Sequence, residues 1–339
     1  MDFVHLHNHS DYSILDGAIT VDNLIKRTVE LGMPAVALTD HGNMFGAIDF
    51  YKKARKSGII PIIGQEFYIA PGSRTKKEKV MGSDEQNSYH LILLAKNNTG
   101  YKNLLKLSSI GFTEGFYYKP RIDMEVLEKY SEGLICSSAC IGGQIPSLIL
   151  KGKEQKAREI AGRFQEIFGR DHFYLELQYH NMTKQETVNK ELIKISSELN
   201  IPLIATNDAH YLGREDAYSH EVLLCIQTDK TIDDPGRMRF PSDDFYLKTP
   251  EEMASIFPDY PDALYNTVRI SEMTDLSIDL GNPILPDFPL PQGYTLDSYL
   301  RHLVYEGAVK RYGKDLPQVV KERIEHELSV ITSMHFSGY

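Results

Sequence analysis

Residues His5-Leu6-His7-Asn8-His9-Ser10, directly after Phe3-Val4, decide how the rest of the chain is read. In an extended strand, alternate side chains share a face. His5, His7 and His9 therefore point the same way, with His5 set deeper in the strand. One strand end presents imidazoles, the commonest neutral metal ligands near physiological pH, to a single point. Surface histidines or a tag remnant are the plainer alternative, but a tag is a contiguous run and this one is interleaved. A metal site then needs partners from elsewhere in the chain.

Working outward, apolar and β-branched runs recur at 35–39, 59–63, 91–95, 134–137, 173–177 and 203–206. Helical spacings lie between them, such as Leu24, Ile25, Thr28 and Leu31, or Ile160, Phe164 and Ile167. Buried strands alternating with amphipathic helices imply parallel strands joined by crossovers. With the run at 3–6, this makes seven strands in about 210 residues, which favours a closed β/α barrel over an open doubly wound sheet. Gly281-Asn282-Pro283, with Pro286, Pro289 and Pro291, reads as a stiff extended connector. Helical stretches follow at roughly 296–311 and 317–333. The ending Phe336-Ser337-Gly338-Tyr339 has no helix cap or polar tail, and reads as a cut through a longer protein.

The 339 residues are 42% apolar and 25% charged, ordinary for a soluble globular protein. No apolar run is long enough to span a bilayer, so no membrane partner is expected. No signal peptide is visible at the N-terminus. Cys136, Cys140 and Cys225 make no disulfide framework, and a reducing cytoplasm is the expected compartment. The net charge of −10 argues against wholesale coating of a phosphate backbone. It does not exclude nucleic acid, because acidic metal ligands inflate the formal count.

Ligand-type residues cluster where the runs end. His7 and His9 follow the first, Asp40-His41 the second, Glu66 the third, Cys140 the fifth and Asp208-Ala209-His210 the seventh. Carboxyl ends of barrel strands converge on one face, where active sites are built. Taken singly, each has a plainer account. His41 reads as a loop histidine, Asp40 as a helix cap and Cys140 as a small buried hydrophobe. Glu66 is harder to explain away, since unpaired buried carboxylates are rare. Cys136 and Cys225 stay in the plainer class, as do His172, His180, His220, His302, His326 and His335. His90 stands at the start of its run, so the strand-end rule does not select it. Imidazole, carboxylate and one thiolate suit Zn²⁺ or Mn²⁺ better than Mg²⁺ or Ca²⁺. Clustered divalent ions suit phosphoester hydrolysis, because they activate water, orient the phosphate and stabilise the leaving oxygen.

These residues carry a family resemblance. His5 to Ser13 with Leu15-Asp16-Gly17, Thr39-Asp40-His41-Gly42, Gly64-Gln65-Glu66, Tyr89-His90-Leu91, Ser138-Ala139-Cys140 and Asn207-Asp208-Ala209-His210-Tyr211 resemble the PHP (polymerase and histidinol phosphatase) domain. More narrowly, the chain is similar throughout to the N-terminal part of bacterial DNA polymerase III alpha subunits, including Gly115-Phe116-Tyr117-Tyr118-Lys119-Pro120-Arg121-Ile122-Asp123. The resemblance implies a distorted seven-stranded TIM-like PHP barrel at 1–280. Residues 281–339 would be the connector and the helical start of a polymerase core. It implies a trinuclear centre: His7, His9 and Asp208 on one ion, Glu66 bridging to a second held by His90 and Cys140, and Asp16, His41 and His210 on a third. Two or three divalent ions, zinc or manganese with magnesium also possible, would serve 3′–5′ exonuclease proofreading on a single-stranded or mismatched primer end. The palm aspartates of such a DNA-directed DNA polymerase lie beyond Tyr339, and its partners would be DNA, the rest of the polymerase core and replisome subunits.

Two sets of side chains are candidate substrate contacts: the basic run Arg74, Lys76, Lys77 and Lys79, and the mixed rings and cations Tyr117, Tyr118, Lys119 and Arg121. A solvated loop and barrel-rim packing account for them equally well. Two competing functions are a metal-braced, non-catalytic platform for the polymerase and a phosphatase for a small phosphomonoester. The connector and helical tail speak against the latter, which needs neither.

Overall fold

The structure is a computed structural model that describes residues 2–78, 86–281 and 287–339. Lys79 and residues 282–286 of the connector lie outside the described residues. The strands are β1 (Ala35–Leu38), β2 (Ile60–Ile69), β3 (Tyr89–Ala95), β4 (Arg121–Ile122), β5 (Leu134–Ser137), β6 (Phe173–Leu177) and β7 (Leu203–Ala205). The helices are α1 (Val21–Glu30), α2 (Ala47–Lys56), α3 (Asn98–Thr113), α4 (Met124–Lys129), α5 (Gln144–Leu150), α6 (Glu154–Phe168), α7 (Thr183–Leu199), α8 (Ala217–Thr228), α9 (Pro250–Ile256), α10 (Pro261–Glu272), α11 (Leu296–Tyr312) and α12 (Gln318–Ser333).

Main-chain hydrogen bonds order the sheet β1-β2-β3-β5-β6-β7, with β4 beside β2. The pairs β1–β2, β5–β6 and β6–β7 are parallel. β3, however, runs antiparallel to both β2 and β5. This corrects the all-parallel expectation. A strand buried on both faces reads as a continuous apolar run whichever way it points. β2 also continues past the run at 59–63, pairing with β1 through Ile63 and with β3 from Gly64 onward.

The two edges of this sheet are joined by the N-terminal segment. It is extended rather than a regular strand, and its main chain bonds both neighbours. Ala37 N donates to His5 O (2.9 Å) and Thr39 N to Asn8 O (3.0 Å) on one side. On the other, His9 N donates to Ala209 O (2.8 Å) and Ala209 N to His7 O (3.2 Å). The segment closes the sheet into a distorted barrel. One buried cluster takes residues from every member of that ring: Val4 and Leu6, Ala35 and Ala37, Ile62, Ile92 and Leu94, Ile135, Tyr174, and Ile204. Each large aliphatic buried there contributes about 1.5–3 kcal/mol. Val4 and Leu6 enter the core, and the alternate residues His5 and His7 take polar partners instead.

Side-chain caps start the helices where the sequence supplies them. Thr20 Oγ1 accepts from Asn23 N at α1 (3.3 Å), and Asn97 Oδ1 from Gly100 N at α3 (3.0 Å). A Cβ at Gly100 would lie 1.9 Å from Gly133 O, so only glycine lets α3 approach the turn before β5. The chain divides into two units, Met1–Ser277 and Ile278–Tyr339. The second contains α11 and α12, between which Arg301 donates to both carboxylate oxygens of Glu325 (2.7 and 2.6 Å). Among the described residues, no helix is long and apolar enough to cross a membrane.

Candidate metal centre

The barrel brings the nine candidate ligands together. His7 and His9 lie on the closing segment, and Asp208 and His210 follow β7, where the bridge between Asn8 and Ala209 fixes their register. His41 follows β1 and bridges to Glu66 in β2. Cys140 follows β5. His90 opens β3 opposite Tyr68 near the end of β2. Because β3 is antiparallel, its start lies at the rim where its neighbours end. Asp16 comes from a turn whose main chain is tied down by His220 Nε2, which donates to Asp16 O (2.8 Å).

Glu66, fully buried, is the centre of the arrangement. Its Oε1 lies 2.8 Å from His90 Nδ1 and 3.4 Å from His7 Nε2, and its Oε2 abuts His41 Nδ1. Asp208 Oδ1 is 3.1 Å from His7 Nε2 and 3.0 Å from His9 Nε2. Asp16 Oδ2 is 3.2 Å from His41 Nε2, and Oδ1 is 3.8 Å from His210 Nε2. Cys140 Sγ is 3.6 Å from His90 Nδ1 and 3.9 Å from Glu66 Oε1. Three donor sets have all their atoms within 4.8 Å of one another: His7–His9–Glu66, His41–Glu66–His90 and His9–His41–His210.

The far nitrogens of three rings are held by a second layer of groups. His7 Nδ1 donates to Glu176 Oε1 (2.6 Å), which also accepts from Thr206 Oγ1 (2.5 Å) and Gln178 Nε2 (2.8 Å). Ser137 Oγ donates to the other Glu176 oxygen. His9 Nδ1 donates to Ser13 Oγ (3.1 Å), whose hydroxyl donates to Asp40 Oδ1 (3.1 Å). His210 Nδ1 donates to Asp208 O (2.8 Å). Each bond fixes a tautomer and aims the other nitrogen's lone pair into the cluster. Asp208 itself has φ +46°, a left-handed conformation that aspartate tolerates. The neighbouring Asn207 holds that turn by donating to Asp244 O (2.8 Å) and Tyr246 O (2.7 Å).

Sequence reasoning missed Glu176, Ser137 and Gln178, and for Asp40 offered a strand-end ligand type or a helix cap rather than a partner of Ser13. The one signal for Glu176 is a carboxylate inside an otherwise apolar run. His5 does not join the cluster: its Nε2 donates to Lys248 O (2.8 Å). His180 and His220, read as structural, support the Asn207 and Asp16 turns.

Burial by itself would raise the Asp208 carboxyl. His7, His210 and His9 outweigh it and hold the group well below the usual carboxylate range. Glu66 is held down in the same way by His90 and His41, and Asp16 by His220 and His41. Burial, then His41 and His210, lowers His9 to about 3, so its ring is a neutral donor. Burial opposes charge on His41 too, yet Glu66 and Asp16 carry it up to about 10.

These residues fit divalent cations. His7 Nε2, Asp16 Oδ1, His41 Nδ1 and Glu66 Oε2 are buried without a hydrogen-bond partner. Each such atom costs about 1–3 kcal/mol, which a shared cation would remove. His41 Nδ1 and Glu66 Oε2 approach each other without hydrogen-bond geometry, as two donors directed at a common centre would. Burial and nearby carboxylates push the Cys140 thiol up, and a coordinated cation would deprotonate it.

Residues 5–180 match the PHP domain family. The chain belongs to the PHP domain family. Residues 298–339 match the bacterial DNA polymerase III alpha NTPase domain. A DNA polymerase III subunit alpha from Borreliella burgdorferi is 52% identical over 340 residues, covering 99% of this chain and 29% of its own. One from Treponema pallidum is 46% identical over 341 residues, covering 100% and 29%. The chain thus spans about 29% of the length of these curated relatives. A solved amidohydrolase from Chromobacterium violaceum is similar at 14% identity, with a TM-score of 0.39, over 61% of this chain and 87% of its own.

Over the PHP cluster opens a cavity of about 620 Å³, whose apolar lining includes Met182, Met238, Phe240 and Phe245. Lys119 lines it as well, its Nζ 5.2 Å above the Tyr68 ring. The other candidate substrate contacts divide. Arg121 is buried and donates to the carbonyls of Gly115, Asn87, Arg74 and Lys76, so it builds the rim rather than facing a ligand. Arg74 is engaged with Glu114, Asp123 and Glu125. Tyr118 is 76% exposed.

Proposed function

We propose that this chain is the PHP module of a bacterial replicative DNA polymerase III alpha subunit, a cytoplasmic enzyme, and that the cluster hydrolyses phosphodiester bonds at a single-stranded or mismatched 3′ end. Two or three divalent ions, zinc or manganese, would be held by His7, His9 and Asp208, by His90 and Cys140, and by Asp16, His41 and His210, with Glu66 shared between the first two sets. The observation that carries this reading is the buried Glu66 carboxylate between imidazoles, with unpartnered lone pairs converging on it.

Bound divalent ions would supply positive charge to phosphate oxygens and lower the pKa of an attacking water. The chain's own residues orient and exclude. Glu176 and the Ser13–Asp40 pair lock the His7 and His9 rings. Burial, followed by the charges of Glu66 and Asp16, pushes the Tyr68 phenol up, so it stays a neutral O–H donor on the cavity wall. Lys119 beside it meets a phosphate oxygen. Met182, Phe240 and Phe245 keep bulk water from the apolar part of the cavity.

The test is hydrolysis by the purified chain with Mn²⁺ of a primer carrying a 3′ mispair, and of a small phosphomonoester. Release of mononucleotides from the primer, lost in Asp208→Asn and His9→Ala, is the expected result. No hydrolysis of either, together with a melting point that falls on chelation, would leave the ions as a structural brace. Hydrolysis of the monoester alone would make the chain a small-molecule phosphatase.

A further inference from the structure

Three phenylalanines stand in solvent beside the cluster. Phe45 (61% exposed), Phe112 (42%) and Phe116 (47%) come from separate segments: the loop after β1, the last turn of α3, and the turn leading to β4. Their centroids are 6.3 Å and 6.2 Å apart, with planes 33° and 27° from parallel. The outward position of Phe45 is built into its loop. The Asn43 amide donates to Tyr12 O and His41 O, and its Oδ1 accepts from Phe45 N. Single exposed apolar residues need no account, but a contiguous row beside a functional cleft marks a contact surface. A recess of about 250 Å³ joins the row to the cluster: Phe45, Phe112 and Lys119 line it together with Asp16 and His41.

We infer that this row is a stacking track for the bases of a single-stranded polynucleotide whose terminal phosphodiester reaches the cluster. The inference rests on the hydrolytic reading above and adds the residues that select a strand over a small ester. Nucleic acid is favoured over a protein partner on three grounds. The recess ends on the candidate ligands Asp16 and His41, where a phosphate would meet the bound charge. Among the described residues, Lys119 is the one lysine or arginine lining both the recess and the larger cavity. With a net charge of −10, the chain must draw affinity for a polyanion from ring faces, and base–aromatic stacking is tolerant of sequence.

Fluorescence anisotropy of a 5′-fluorescein oligothymidylate reads strand affinity apart from turnover. Phe45→Ala and Phe112→Ala should each raise Kd about five- to 150-fold, and Phe112→Tyr should restore native binding. The logarithm of affinity should fall with that of salt at a slope of about −0.7, one phosphate met by one lysine. In the alanine variants the loss on the oligonucleotide should exceed any change on bis(p-nitrophenyl) phosphate at least about fivefold. Melting curves like the parent's would show the fold intact.

Native oligonucleotide affinity in both alanine variants overturns the track and leaves the row as a protein-docking surface. Equal losses on both substrates overturn it too, since the rings would then act through the shape of the cluster. If the parent binds the strand through the rings but hydrolyses neither substrate, the track stands and the hydrolytic reading fails.

Discussion

Glu176→Gln keeps shape and removes one negative charge from beneath the His7 ring. The native carboxylate accepts from His7 Nδ1, Thr206 Oγ1 and Gln178 Nε2 at one oxygen and from Ser137 Oγ at the other. A glutamine carbonyl can take over the first set. Its amide then faces Ser137, whose hydroxyl rotates to accept, so the number of hydrogen bonds is preserved. What goes is charge assistance. A hydrogen bond to a charged group contributes about 1.5–3 kcal/mol against about 0.5–1.5 for a neutral one. The His7 contact therefore weakens by about 1–2 kcal/mol, and metal affinity by about five- to thirtyfold, within the range seen for partners that orient a ligand. The assay is competition for Zn²⁺ or Mn²⁺ against a chromophoric chelator, with melting curves in excess chelator as the control for fold. Metal affinity equal to the parent's refutes the argument that Glu176 aims His7. So does a loss of metal-free stability as large as the loss in metal affinity, because Glu176 would then support the barrel and not the ring.

Three further outcomes follow from the packing. A Cβ at residue 17 would lie 1.9 Å from Ser10 O, so Gly17→Ala must displace the segment carrying His9; it should cost about 1–3 kcal/mol in urea unfolding and weaken metal binding as well. Apart from the backbone of its own helical turns, nothing lies within 4 Å of where a Cβ on Gly162 of α6 would sit, so Gly162→Ala should raise stability by about 0.5–1 kcal/mol in the same measurement. Burial lowers the Lys248 ammonium to about 8 in spite of Asp244. Above that pH the unfolded chain holds a proton that the folded chain lacks, so this group's penalty, full below pH 8, is relieved as pH rises to about 10. Lys248→Met should abolish that rise, at most about 3 kcal/mol, in denaturation curves recorded across the interval.

The strands of the ring were legible because each is a short apolar run, and five of the seven end on a ligand-type residue. Strand direction was not. The run at 91–95 is buried on both faces, which erases any polarity, and the same ambiguity hid His90. A residue that opens an antiparallel strand reaches the rim just as one that closes a parallel strand does. Asp16 was legible only through family resemblance, since it arrives on a turn whose course depends on His220, some two hundred positions away in sequence. Glu176 could have been singled out as a charge within a buried run, but its partners come from the closing segment, from β5 and from just past β6 and β7, and no local spacing links them. Arg121 illustrates an ambiguity that only contacts resolve. Beside Tyr117 and Lys119 it reads equally as a nucleic-acid contact and as rim packing, and its guanidinium is taken up by four carbonyls of the rim.

The closing of the ring by residues 3–9 has a consequence for biosynthesis. This stretch leaves the ribosome about two hundred residues ahead of Ala209, its second neighbour, a delay of roughly 10–40 s at ordinary translation rates. During that interval His7 and His9 lack both Asp208 and the hydrogen bonds that lock the far edge. Loading with the proposed ions would thus be a late step in the birth of the polypeptide, and nascent chains halted short of β7 should emerge unable to retain them.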